Sequence, residues 1–160
     1  MIRCSTSSEH ETRDLGEALA PLAADGDVVI LTGDLGAGKT RFTQGFARGL
    51  HVTENVTSPT FTLVRTYDGR LKLNHADLYR MEGSDEVADL VLGELADPAG
   101  VSLIEWGDAA LAILGHDVLD VRIELGPGED DRIITVTPAG PAWSARGDEL
   151  EKALAPWRSA

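Results

Sequence analysis

The stretch GDLGAGKT, residues 33–40, constrains the fold of this chain more than any other feature of its sequence. It matches the pattern G-x-x-x-x-G-K-[ST] of the phosphate-binding loop, or P-loop. The apolar run VVILT comes directly before the loop and predicts a short buried strand. From Lys39 onward a helix is predicted, with three large apolar side chains on one face: Phe42, Phe46 and Leu50. A strand, a glycine loop and a helix in this order are typical of an α/β protein that binds a nucleoside triphosphate.

The residues of the loop suggest individual roles. Glycines let backbone N–H groups converge on phosphate oxygens at the positive end of the following helix. We expect Lys39 to bridge the outer phosphates and the Thr40 hydroxyl to ligate Mg²⁺, whereas Asp34 is interpreted as a loop residue and not as an acid catalyst. The predicted nucleotide contacts in this segment are Asp34, Leu35, Gly36, Ala37, Gly38, Lys39, Thr40 and Arg41.

A Mg²⁺-triphosphate site also needs a carboxylate from a neighbouring strand, to hold the cation and to orient the attacking water. Glu105 follows the apolar run VSLI, and Asp77 ends the run LKLNHAD. Both positions predict the carboxyl end of a strand, which is the edge where α/β sheets bind ligands. The pattern alone leaves both carboxylates as candidates for this role.

Two short segments are candidates for further contacts with the nucleotide. VTSPTF, residues 56–61, is either a plain turn or a switch loop in which Thr57, Ser58 or Thr60 senses the terminal phosphate. NHAD, residues 74–77, departs from the guanine-reading N-K-x-D of GTPases because His75 replaces the lysine and because it follows the P-loop too closely. The sequence therefore favours adenine over guanine.

The rest of the chain predicts a single α/β domain over residues 1–160, with a core at about 9–137 and a C-terminal helix at about 143–156. A capping box at Ser8 to Glu11 starts the first helix, and Asp68-Gly69 predicts a tight turn between two strands. Ser84 is predicted to cap a helix that carries Val87, Leu90, Val91 and Leu95, and further strands are predicted at VSLIEW, VRIEL and RIITVT. The resulting sheet is central and mainly parallel, with an antiparallel β-hairpin extension.

Composition limits the class of protein. The net charge of -13 argues against a protein that coats nucleic acid, although residues 39–80 carry seven basic and three acidic side chains. The sequence contains no apolar run of about 20 residues and no apolar leader, so neither a membrane span nor secretion is expected. The single Cys4 is interpreted as an incidental thiol. A cytoplasmic protein is expected.

Four ordered motifs, GDLGAGKT, VTSPTFTLV, HADLYR and LIEW, resemble the bacterial ATPase family TsaE over about residues 9–137. That family supports synthesis of threonylcarbamoyladenosine in certain tRNAs. The resemblance implies that ATP and Mg²⁺ are the cofactors, that Glu105 joins Thr40 at the metal, and that Asp77 is needed for hydrolysis. It also implies a switch at Ser58 to Thr60. The remaining residues that the resemblance places at the nucleotide are Trp106, beside it, and Glu9, Thr12 and Arg132, around adenine.

The same resemblance implies an output through other proteins. The expected partners are the threonylcarbamoyl transferase subunit (TsaD) and its paired scaffold subunit (TsaB), with an indirect tRNA contact left open and slow turnover of the isolated ATPase. Arg65 and Arg80 are candidates for the partner surface or for braces within the hairpin. Two alternatives stay open at this point: a small-molecule kinase, which lacks a clear lid here, and a nucleotide-binding module with vestigial ATPase activity.

Overall fold

A seven-stranded mixed sheet forms the centre of the molecule in the computed structural model. The structure describes residues 1–59, 64–78, 84–90, 93, 95, 99–106, 111 and 117–160. The strands are β1 (Ile2–Thr6), β2 (Val28–Thr32), β3 (Val64–Tyr67), β4 (Leu73–Asp77), β5 (Val101–Glu105), β6 (Val118–Leu125) and β7 (Arg132–Ala139).

The order of the strands across the sheet is β1-β7-β6-β2-β5-β4-β3. The four central strands β6, β2, β5 and β4 are mutually parallel. Both edges are antiparallel, with β3 against β4 on one side and β7 and β1 added to β6 on the other. The predicted α/β fold with a mainly parallel centre and an antiparallel extension is therefore confirmed, but the β1 strand was not predicted.

Helices cover both faces of the sheet. They are α1 (Glu9–Leu19), α2 (Lys39–Gly49), α3 (Ser84–Leu90), α4 (Pro141–Ser144) and α5 (Gly147–Leu154). The apolar face of α2 is buried as predicted, because Phe42, Phe46 and Leu50 have no exposed surface. The predicted helix at Ser84 is present, although Val91 lies outside the described residues.

The start of α1 confirms only half of the predicted capping box. The Ser8 side chain accepts a hydrogen bond from the Glu11 backbone N–H at 3.1 Å, as an N-cap residue should. The Glu11 carboxylate, however, accepts from the N–H and the hydroxyl of Ser7, not from the N–H of Ser8. The reciprocal bond has moved one residue upstream, where the end of β1 brings Ser7 close to the first turn.

The tight turn predicted at Asp68-Gly69 is wrong. Tyr67 pairs with Leu73, so the two strands are joined by a five-residue loop, 68–72, that contains both turn residues. A Cβ at Gly69 would lie 2.3 Å from the carbonyl oxygen of Leu50, and the N–H of the next residue bonds to that same oxygen. The glycine therefore permits close approach to the end of α2, and positive φ is not the reason for it.

The α1 and α2 helices pack directly against each other because glycines remove side chains from their interface. A Cβ at Gly45 would lie 1.9 Å from the carbonyl oxygen of Arg13, and one at Gly16 would lie 2.4 Å from that of Phe42. Such distances leave no room for any side chain. The two helices cover one face of the sheet, and their close packing fixes the position of α2 and of the P-loop that precedes it.

The C-terminal helix predicted at about 143–156 is present as α5, but its predicted start is wrong, since α4 and α5 are separate helices on either side of Arg146. The Arg146 guanidinium turns back to the body of the protein and bonds to the Asp27 carboxylate at 2.6 and 2.8 Å. The last residues continue to β1, where Ser159 donates its N–H to the carbonyl of Arg3. Within the part of the chain that the structure describes, no helix is long and apolar enough to cross a membrane.

Candidate nucleotide site

The P-loop connects the end of β2 to the start of α2 and has the backbone that a phosphate cradle needs. Gly36 and Gly38 have φ values of 80° and 110°, in the left-handed region that favours glycine. A Cβ at Gly36 would meet no atom within 4 Å, so the space next to this residue is open and its positive φ is what favours glycine. Gly33 has a different role, because a Cβ there would lie 2.6 Å from the carbonyl oxygen of Ile123 on β6.

Lys39 lies at the base of this loop with only 6% of its surface exposed. Its ammonium donates to the carbonyl oxygens of Gly33 at 2.5 Å and Asp34 at 2.9 Å. Burial lowers the pKa of Lys39 from its ordinary value, and the nearby carboxylates, Glu105 foremost, act in the opposite direction. The ammonium is thus a largely buried cation at the loop, and the low local dielectric strengthens its attraction for an anion.

The two candidate carboxylates lie side by side at the carboxyl end of the sheet. Asp77 and Glu105 are register partners on the parallel strands β4 and β5, and Glu105 pairs with Leu31 on β2, two residues before the P-loop. Glu105 is buried and Asp77 is half-buried. A cleft of about 390 Å³ contains both of them, together with Glu9, Leu35, Gly36, Gly38, Lys39, Thr40, Arg41, Ser58 and Trp106.

Trp106 reaches this cleft through an unusual backbone conformation. Alternation along a strand would turn it away from the face that carries Glu105. Its φ of 60° takes it out of the β conformation, and the strand ends there. The indole ring centroid lies 4.3 Å from the Lys39 ammonium, which places a cation over an aromatic face.

His75 is a site residue that the sequence analysis did not identify as functional. Its Nε2 atom lies 2.7 Å from a carboxylate oxygen of Glu105, and both side chains are buried. The signal was available, because His75 and Asp77 are two residues apart on one strand and must share a face. The comparison of NHAD with the guanine-reading motif considered His75 only as a replacement for a lysine and did not predict a partner for it.

The loop predicted as a switch touches the site through Ser58. The Ser58 hydroxyl donates to Asp77 at 3.3 Å, and Arg65 on β3 donates to the Thr57 hydroxyl at 3.1 Å. Gln44 on α2 holds the same loop at the Val56 carbonyl oxygen at 3.1 Å. Thr60 and Arg80 lie outside the described residues.

The residues predicted to frame adenine divide into two groups. Glu9 lines the cleft and pairs with Arg41 at 3.2 Å. Arg132 instead donates to the P-loop carbonyls of Ala37 at 2.7 Å and Gly36 at 3.3 Å, and it lines a neighbouring cavity of about 460 Å³.

Thr12 is buried beside the loop. Its hydroxyl forms a hydrogen bond with the Thr6 hydroxyl at 2.8 Å and lies within donating distance, 3.3 Å, of the Ser8 carbonyl oxygen. Arg132 therefore braces the P-loop directly, whereas Thr12 connects the end of β1 to the start of α1.

The donor set of the cleft fits Mg²⁺. A hydroxyl and two carboxylates, from Thr40, Asp77 and Glu105, line one space and supply the oxygen ligands that this ion takes. Mg²⁺ in such sites is held by one or two protein ligands and completed by substrate phosphates, so this small set is sufficient. The open loop beside it offers room for those phosphates.

Comparison with known proteins gives a consistent result. The sequence model described as "Threonylcarbamoyl adenosine biosynthesis protein TsaE" matches residues 6–134. The chain is 43% identical to the tRNA threonylcarbamoyladenosine biosynthesis protein TsaE of Bacillus subtilis, with 94% of both chains covered, and 43% identical to that of Streptomyces coelicolor, with 82% of this chain and 93% of the relative covered. The crystal structure of YdiB from Bacillus subtilis superposes with a TM-score of 0.77 at 38% identity, over 95% of this chain and 97% of that one.

Proposed function

The chain belongs to the TsaE family, and on this basis we propose that it is a Mg²⁺-dependent ATPase that serves the synthesis of threonylcarbamoyladenosine in tRNA. The relatives carry that pathway in their names. The observation that supports the ATPase activity is that a single cleft at the P-loop is lined by Lys39, Thr40, Asp77 and Glu105. Phosphoryl transfer to water requires mainly positioning and charge, which is what these groups supply.

In this proposal the chain's own residues bind and orient the reactants. The backbone of the loop and Lys39 bind the phosphates, and the lysine exchanges its two carbonyl partners for phosphate oxygens. Thr40 and Glu105 would hold Mg²⁺, and the ion would supply positive charge to stabilise the phosphate oxygens. Asp77, which lines the same cleft, orients the attacking water.

We further propose that nucleotide state is communicated to partner proteins through the loop at residues 56–59. Ser58 contacts Asp77, while Arg65 and Gln44 hold the loop from the hairpin and from the P-loop helix. A change at the terminal phosphate would therefore alter the contacts of this loop, in which Thr57 is exposed to solvent. The proposed partners are the transferase subunit TsaD and its scaffold subunit TsaB, with any tRNA contact indirect.

The test of the ATPase compares the parent with three single variants. Slow Mg²⁺-dependent release of phosphate from ATP is expected for the parent. Lys39→Ala should lose triphosphate binding or turnover, and Glu105→Gln should lose Mg²⁺-dependent turnover, because the amide keeps the shape without the charge. Asp77→Asn should lose turnover and keep nucleotide affinity. Equal rates in Lys39→Ala and the parent would refute the P-loop assignment.

The test of the switch measures affinity for the TsaD and TsaB pair in ATP, in ADP and without nucleotide. About 10-fold tighter binding in ATP is expected, which corresponds to about 1.4 kcal/mol and is within reach of one or two contacts. Ser58→Ala should reduce this difference. Equal affinity in all three states would favour a binding module, and phosphorylation of an added metabolite by the chain alone would favour a kinase.

A further inference from the structure

His75 lies behind Glu105 and does not line the cleft itself. Its imidazole is fully buried, and the Glu105 side chain that it contacts is 3% exposed. The two residues come from adjacent parallel strands, with His75 opposite Leu103, two residues before Glu105. Since both backbones are held by the centre of the sheet, the 2.7 Å contact is fixed from both ends.

The bonding pattern identifies which imidazole atom carries the proton. A carboxylate only accepts hydrogen bonds, so the bond to Oε2 of Glu105 requires a proton on Nε2. The Nδ1 atom is buried and has no hydrogen-bond partner among the residues that the structure describes. A proton there would be a buried donor without an acceptor, which is costly. The arrangement therefore favours the tautomer with Nε2–H.

The hydrogen bond leaves the carboxylate of Glu105 with one fixed and one available oxygen. Oε2 accepts from His75, and among the described residues Oε1 accepts no hydrogen bond. A glutamate side chain has several torsions, and here the nearby Lys39 ammonium also attracts it. Without a second anchor, that attraction would compete with the metal for the carboxylate.

We propose that His75 is a positioning residue of the magnesium site, whose Nε2–H holds Glu105 so that its other oxygen is presented to Mg²⁺ beside Thr40. This inference rests on the proposed function. Partners that orient a metal-ligating side chain in this way commonly change metal affinity about 10–100-fold when they are removed. The histidine thus acts on the metal through Glu105 and touches neither metal nor nucleotide.

The test measures binding of a non-hydrolysable ATP analogue by calorimetry, with EDTA and across a Mg²⁺ titration. His75→Phe fills the site without a donor, and we expect it to need about 10–100-fold more Mg²⁺ for half-maximal effect. Its affinity in EDTA should equal that of the parent. His75→Gln supplies an N–H donor and should recover most of the loss. Asn74→Ala changes the adjacent buried polar residue, whose side chain points to the opposite face, and should leave the Mg²⁺ titration unchanged.

A second readout needs neither metal nor turnover. A long-range ¹H–¹⁵N spectrum of the labelled chain, assigned by comparison with His75→Gln, should show His75 with its proton on Nε2. A proton on Nδ1 alone, or a parental Mg²⁺ titration in a folded His75→Phe, would overturn the positioning role. If the parent itself binds the analogue equally with EDTA and with Mg²⁺, the magnesium site of the proposed function fails first and the role of His75 fails with it.

Discussion

Replacing Arg146 by alanine should destabilise the protein more than any exposed charge replacement. The guanidinium lies between α4 and α5 and makes two bonds to Asp27, at 2.6 and 2.8 Å. It also donates to the carbonyl oxygens of Leu22 at 2.7 Å and Ala142 at 3.0 Å, and it stacks at 4.1 Å on Trp143. Hydrogen bonds from the guanidinium to the Asp27 carboxylate raise the pKa of Arg146.

The expected loss follows from what remains after the substitution. The Asp27 side chain is 7% exposed and Arg146 is 18% exposed, so Arg146→Ala leaves a buried carboxylate with one backbone bond, from the N–H of Ala24. Breaking a buried pair from one side costs about 3–5 kcal/mol. A domain of this size has a total stability of roughly 5–15 kcal/mol, and each kcal/mol shifts the Tm by about 2–4 °C. The Tm should therefore fall by roughly 6–20 °C.

The assay is urea and thermal unfolding followed by circular dichroism. The matched control is Arg158→Ala, because Arg158 pairs with Glu151 at 3.4 Å while both side chains are 55% exposed, and such a pair contributes less than about 1 kcal/mol. The double variant of Asp27→Ala with Arg146→Ala should recover part of the loss, since it removes both charges. A loss for Arg146→Ala no larger than that of the control would refute the reasoning.

Three further results are expected. Mg²⁺-ATP should change tryptophan fluorescence, because the Lys39 ammonium would leave the face of the Trp106 ring. Trp106→Phe should abolish this change, although Trp143 and Trp157 remain. A fluorescence change that persists in Trp106→Phe would place the site elsewhere. Burial raises the pKa of Cys4 to about 11 from 9.0, so iodoacetamide should modify the folded chain slowly at pH 8. The free energy of unfolding, relative to that of Cys4→Ala, should fall as pH rises from about 9 to 11, because the thiol then ionises only in the unfolded chain. Rapid modification at pH 8 would contradict this. Gly45→Ala should cost at least about 1–3 kcal/mol in urea unfolding, because its Cβ would meet the α1 backbone at 1.9 Å; parental stability would show that the helices can separate.

The sequence predicted those parts of the fold in which local pattern and tertiary environment agree. The strand before the P-loop and the α2 helix were found because VVILT is continuously apolar and because the α2 apolar face repeats with helical period. The β1 strand was missed because IRCST alternates over only five residues and carries one charged and two polar side chains. Its identity as a strand depends on pairing with β7, more than 120 residues away, which no local pattern contains.

The errors in loops have a similar origin. Asp68-Gly69 is a good hairpin sequence, but the glycine is needed where the loop passes the Leu50 carbonyl oxygen. The C-terminal helix was predicted as one element over about 143–156. The structure interrupts it at Arg146, which bonds to Asp27 across 119 residues, a contact that no local pattern contains.

Within the site, residue types were predictable and their mutual placement was not. The P-loop motif contains its own chemistry, so Lys39 and Thr40 follow from the sequence. That Glu105 and Asp77 meet them depends on the strand order, in which β5 lies between β2 and β4. Strand alternation places His75 on the face of Asp77, but its partner Glu105 is known only once β4 and β5 are adjacent.

The register of β2, β5 and β4 explains how segments that are distant in the sequence can respond together to one phosphate group. Leu31, Glu105 and Asp77 are paired in sequence across β2, β5 and β4, so the P-loop, the proposed metal ligand and the proposed hydrolytic carboxylate leave the sheet along one line. Asp77 is at the outer end of that line and contacts Ser58 of the loop at residues 56–59. In the proposed mechanism, loss of the terminal phosphate changes the water at Asp77 and then the contact to Ser58, without movement of the sheet. In this proposal the sheet sets the geometry of hydrolysis, and the loop at residues 56–59 is the segment whose contacts differ between ATP and ADP.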